Sequence, residues 1–125
     1  ISLQTSDIAL EKARNDRVKQ FAKFEHDEQT TIAEVLKSMH PDMAPPPADP
    51  KMAGMVEKLR GMQPGAAFDR DYVMGQIEAH QALLDAQEDY LRKGQNREHV
   101  NVTKLARGMI QEHLVHLGEL RKAVT

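Results

Sequence analysis

The segment YLRKGQNREHV, residues 90–100, reads as the end of one helix and the start of another. Leu91 and the basic pair Arg92–Lys93 close an apolar-periodic run, and Gly94 is expected to end it as a left-handed cap. Asn96 is suited to cap the next helix, and Glu98 puts a carboxylate in its first turn, where the helix dipole favours one. So short a connection leaves two long helices little choice but to lie antiparallel.

Working outward, residues 69–93 place Tyr72, Val73, Ile77, Leu83, Leu84 and Leu91 on one face at helical spacing. Residues 97–123 do the same with Val102, Leu105, Ala106, Met109, Leu117 and Leu120. A third long helix, residues 16–39, carries Val18, Phe21, Ala22, Ile32, Val35 and Leu36, with Asn15 or Asp16 to cap its start. The opening SLQTSDIALEKAR is a weaker helix with Leu3, Leu10 and Ala13 on its apolar side. HPDMAPPPADP, residues 40–50, is too proline-rich to be helical. Pro50 then starts a short helix with Met52, Met55, Val56 and Leu59 in a stripe, and Gly61 stops it. No stretch alternates as a strand does. The expected fold is all-α: one domain, residues 1–125, a ferritin-like four-helix bundle whose long Pro/Met-rich crossover (40–67) carries a short extra helix.

Composition removes several classes of function. A chain of 125 residues with net charge −2 and evenly spread charges has no field to gather nucleic acid. No apolar run is long enough for a transmembrane segment. Cysteine is absent, which excludes thiol catalysis, disulfides and thiolate zinc sites. Tryptophan is absent and aromatics are 4%, which argues against stacking platforms for bases or sugars. The chain opens on ISLQTSD, with no initiator methionine, which fits an export signal already removed or left out.

The apolar stripes are interrupted. In MIQEHLVHLGEL, residues 109–120, His113 falls mid-face and His116 inside the edge. Glu25 sits at the centre of the third helix's stripe, with Glu28 and Gln29 within it; His80 sits near the centre of the 69–93 stripe, with Gln76 a turn before and Gln87 further on. Counting from the turn at Gly94, His80 and His113 lie within about one helical turn of the same height. Glu25, Gln29, Gln76, His80 and His113 are therefore expected to share a layer, with His116 or Glu112 as a further member. Two readings compete. Imidazole and carboxylate from facing helices suit a divalent transition metal such as iron, zinc, manganese or copper, giving Glu25, Gln29, His80, His113 and His116 as candidate ligands. The alternative is a metal-free hydrogen-bond network in which Glu25 pairs with a histidine. The duplicated Glu-x-x-His of di-iron bundles is nowhere in the chain, which argues against a di-iron oxidase.

Several of these pieces together resemble a bacterial family: IALEKA at 8–13, VKQFA at 18–22, AAFDRDY at 66–72, His80 eight residues on, and EHLVHL at 112–117. They are similar to the domain-of-unknown-function 4142 family over about Ser2 to Leu120, with FDRDY followed by EAH the most specific part. The resemblance implies a ferritin-like bundle and an exported, periplasmic or secreted protein; it brings no established activity. It also implies histidine near the middle of three helices. Two of these positions are His80 and His113; the third is Gln29, where this chain departs, and His26 lies off the face.

Met39, His40, Met43, Met52, Met55 and Met62 offer a second metal chemistry, since thioether and imidazole suit copper. Helical spacing instead reads Met52, Met55 and Met62 as packing residues. Ser2, Ser6 and Ser38 lack a base at useful spacing, and no glycine-rich phosphate loop is present. The sequence thus points to binding of a metal ion or small ligand, or to a structural or interaction module of the cell envelope, and shows no catalytic motif.

Overall fold

The computed structural model describes residues 2–39, 50–94 and 96–124, of which the side chains of Ser2 and Leu3 are left aside. Among the described residues there are five helices and no strand: α1 (Ser2–Lys12), α2 (Asp16–Met39), α3 (Pro50–Gly61), α4 (Ala66–Lys93) and α5 (Arg97–Val124). Pro45, Pro46, Pro47, His40 and Met43 fall outside the described residues.

Asn15 caps α2 by accepting the N–H groups of Arg17 (2.9 Å) and Val18 (3.3 Å) on its side-chain oxygen. Asn96 caps α5 through the N–H of His99 at 2.9 Å. The 94–96 connection makes α4 and α5 the most extensively packed pair. Gly94 is not the left-handed cap its residue type suggested. Its backbone is extended (φ −71°, ψ 141°), and its N–H bonds back to the Tyr90 carbonyl. Glycine is needed there for room: a Cβ would lie 2.5 Å from the Tyr90 ring and 2.8 Å from the Tyr90 carbonyl oxygen. That ring is held in turn by His99, with centroids 4.3 Å apart.

Two further expectations shift. α1 faces inward with Thr5, Ser6 and Ala9, followed by Ala13 just past its end, while Leu10 is 39% exposed. Small residues let α1 approach α2 and α4 closely, and its hydroxyls are satisfied across the interface: Ser6 Oγ meets the Tyr72 hydroxyl at 2.8 Å, and Gln76 donates to Thr5 Oγ1 at 2.6 Å. On α5 the buried stripe is Thr103, Ala106, Ile110, Leu117 and Leu120, rotated from the one expected, so Leu105 is 72% exposed. Thr103 can face inward because its hydroxyl donates to the His99 carbonyl at 2.8 Å.

The core gathers at one end, around Val18, Phe21, Leu59, Phe68, Tyr72 and Leu117. Phe68 lies in α4 because that helix begins at Ala66, three residues before the stripe suggested, and its ring stacks on Tyr72 at 6.3 Å. α3 closes this end with Val56 and Leu59. Met55 and Met62 pack against the core, and Met55 lies so near Gly75 that a Cβ there would meet its sulfur at 2.7 Å. Lys12 holds the last carbonyls of α3, donating to Leu59, Arg60 and Met62. Asp69 clamps the α1–α2 turn: its carboxylate accepts the N–H groups of Arg14 (3.0 Å) and Asn15 (2.8 Å).

Asp69 is 3% exposed, and Asp69→Ala strands two backbone N–H groups at a part-buried turn. Urea denaturation should show a loss of about 2–3 kcal/mol for this variant. Asp71→Ala, which breaks only the more exposed contact with Lys58, should cost less than about 1 kcal/mol. Equal losses would contradict the clamp.

Candidate metal centre

The core ends at Phe21. Its ring packs against the edges of His80, His113 and His116 at centroid distances of 6.1, 5.7 and 5.7 Å, and so forms the floor of a polar layer. Above it the imidazoles of His80 and His113 lie 5.5 Å apart. Glu25 reaches in from α2, fully buried, as is His80; the His113 side chain is 16% exposed.

The carboxylate of Glu25 stands between the two rings, Oε1 3.2 Å from His80 Nε2 and Oε2 3.1 Å from His113 Nδ1. Each of the three side chains has its other polar group engaged. His80 Nδ1 lies 2.8 Å from the Gln76 carbonyl oxygen, which can only accept, so Nδ1 carries a proton. In a neutral ring Nε2 then presents a bare lone pair toward the carboxylate, and it makes no hydrogen bond. His113 Nε2 is 2.9 Å from Glu28 Oε2. Gln29 donates from Nε2 to Glu25 Oε1 at 3.0 Å.

Electrostatics distinguish the partners of His113. Its pKa is raised, first by the hydrogen bond to Glu25 and against the opposing pull of burial. Glu28 is also raised, because burial outweighs the attraction of His113. The contact with Glu25 therefore does most to charge the imidazole, with Glu28 a weaker counter-ion at the rim.

Of the residues singled out in sequence, Glu25, His80 and His113 converge. One ligand atom from each lies within 4.8 Å of the others, and the three form the one such group of acidic and histidine side chains among the described residues. Gln29 borders this group and orients Glu25. Gln76 contributes its backbone carbonyl to His80 and its side chain to α1. His116 lies against Phe21 and is not one of the converging groups. Glu112, exposed, stays outside the layer. His26 pairs with Asp7 of α1 at 2.6 Å, off the layer as its angular position suggested. Glu28, which the sequence places within the same stripe as Glu25, is the second partner of His113. Its spacing of three from Glu25, on the same helix face, was the available signal.

A family model described as a domain of unknown function, DUF4142, matches residues 1–120. The chain belongs to this family. No curated protein and no solved structure matches it. The DUF4142 match spans all five helices, so the FDRDY segment resembling the family acquires a physical role here: Asp69 ties the α1–α2 turn and Tyr72 ties Ser6. No helix among the described residues is long and apolar enough to cross a membrane.

Because the folded pKa of His113 lies above its unfolded value of about 6.5, the stability it contributes is fully present below that value and fades as pH rises through the folded pKa. The stability gap between wild type and His113→Gln, from urea melts, should therefore narrow as pH rises above about 6.5. A gap that stays flat or widens would contradict the assignment.

Proposed function

We propose that this chain binds one divalent transition-metal ion in the polar layer, with Glu25, His80 and His113 as ligands. The observation that carries this reading is the way each ligand is backed. The Gln76 carbonyl fixes the tautomer of His80, the Glu28 carboxylate faces the far nitrogen of His113, and the Gln29 amide holds Glu25. Metal-ligating histidines ordinarily give their second nitrogen to a carbonyl or carboxylate in this fashion. Proximity supports this reading: the two Glu25 oxygens stand 3.2 and 3.1 Å from the His80 and His113 nitrogens, one oxygen to each, and one ligand atom from each residue lies within 4.8 Å of the others. Two imidazoles and one carboxylate are a donor set that zinc and ferrous iron both take, with a position left for an exogenous ligand. When bound, such an ion supplies a Lewis acid; the chain's own residues orient it and keep one side of it dry against Phe21.

A second reading has a specific observation in its favour. His113 spans two carboxylates, 3.1 Å from Glu25 and 2.9 Å from Glu28, as an imidazolium in a metal-free network would. In that case the layer sets helix register and the chain serves as a structural or interaction module. Copper handling through the crossover has less support: Met55 and Met62 are used in packing. An exported location is what the family resemblance implies, and cell fractionation tests it.

Melting curves with zinc, manganese, ferrous and cupric ions, each against chelator, separate the two main readings. Under the metal reading one of these ions stabilises wild type by about 2.7 kcal/mol at a hundred times its Kd. Glu25→Gln should abolish that gain while leaving the apo protein folded. No gain with any of the four ions leaves the network as the function of the layer.

A further inference from the structure

Above the polar layer, α2 and α5 part. Between them runs an apolar groove of about 340 Å³ whose walls include Ile32, Val35, Val102, Leu105 and Met109, with Asp27 and Glu28 at one end. Leu105 is 72% exposed and Val35 40% exposed. A smaller chamber of about 60 Å³ lies behind, and the two share Glu28, Ile32, Ala106 and Met109 as common walls. The chamber is also mostly apolar but carries more polar side chains than the groove: Glu28, Gln29, Gln87 and His113 line it beside Leu83 and Ile110.

We propose that this cleft binds a primary aliphatic amine, its ammonium group in the chamber and its alkyl chain along the groove. Charge complementarity selects the head. No lysine or arginine lines either cavity; Glu28 lines both, and Asp27 adds a second carboxylate on the groove side. His113, the one side chain there that can be cationic, is turned toward two carboxylates. Gln29 has given an amide N–H to Glu25, so its remaining capacity to accept matches a head group with three donors. Size agrees, since the chamber holds a group as small as one or two waters. Length agrees as well: residues 28–35 and 102–109 flank the groove over about two helical turns, roughly 11 Å, the reach of a medium alkyl chain. A protein helix laid in the groove would leave the chamber, with its Glu28, Gln29 and Gln87 side chains, unfilled. The proposal does not depend on a metal in the layer.

The test is calorimetric titration of the whole chain at neutral pH in the presence of chelator, with n-octylamine, 1-octanol and octanoate as probes. The amine should bind at least about tenfold more tightly than the alcohol and more tightly still than the carboxylate. Glu28→Gln should bring the amine down to the level of the alcohol, and Leu105→Ser should weaken amine and alcohol alike. Both positions are solvent-exposed enough for the variants to fold, which circular dichroism checks. The proposal is overturned if octylamine fails to bind, if alcohol or carboxylate binds as tightly, or if Glu28→Gln leaves the amine unaffected. A short lysine–leucine amphipathic peptide that binds more tightly than the amine would reassign the groove to a partner helix. A dimer that Leu105→Ser dissolves would reassign it to a second copy. Zinc stabilisation that persists when amine binding fails would overturn this inference alone, and amine binding without any metal response would overturn only the metal reading.

Discussion

One carboxylate faces two imidazoles in the interior of this molecule, and the rest of the structure answers to that contact. A buried ionised carboxylate costs several kcal/mol in lost hydration unless close, well-directed positive partners offset it. Glu25 is fully buried, and the nitrogen that His80 turns toward it is the unprotonated one in a neutral ring. The layer therefore calls for a cation between Glu25 and His80, supplied by a second proton or by a metal ion. Protonated His113 offsets one of two carboxylate charges, Glu25 and Glu28, and the balance remains negative.

The position of this layer follows from how packing changes along the bundle. Below Phe21 four helices and the capping helix α3 enclose aromatic and aliphatic side chains. α1 is only 11 residues long, so it covers the lower part and reaches the level of Gln76 through Thr5. Above that level the described helices are α2, α4 and α5, and Ile32, Leu36, Leu83 and Leu84 are only partly buried. The charged layer lies at the boundary between a closed core and a cleft, which gives a charged ligand a path to it without unfolding. Phe21 seals the side that faces the core.

Much of this could be read from the sequence, and the limits have physical causes. Helical periodicity located α2 and α5 within a residue, because Asn15 and Asn96 are cap residues with short polar side chains. Angular counting also brought Glu25, His80 and His113 to one height, because long antiparallel helices joined by a short turn fix each other's register. It failed where burial is decided by a partner. Leu105 looks like a core residue on its own helix, but among the described residues no neighbouring helix covers it. Thr5 and Ser6 look like surface residues, yet Gln76 and Tyr72 meet them across an interface that only close packing of α1 creates. Gly94 was read by residue type alone, and its role turned on the Tyr90 ring four residues earlier. The carbonyl that fixes the tautomer of His80 is a backbone group, invisible to side-chain pattern.

The most direct test of the need for a cation in this layer is a count of protons displaced by zinc. Calorimetric titrations at about pH 6, repeated in buffers of different ionisation enthalpy, give that number. Below the ordinary histidine pKa of about 6.5, His113 holds a proton that it must surrender to become a ligand. Zinc that enters the layer of wild type is expected to release at least about one proton per ion. Zinc bound without proton release would contradict the account, because the cation already in the layer would then not have been displaced.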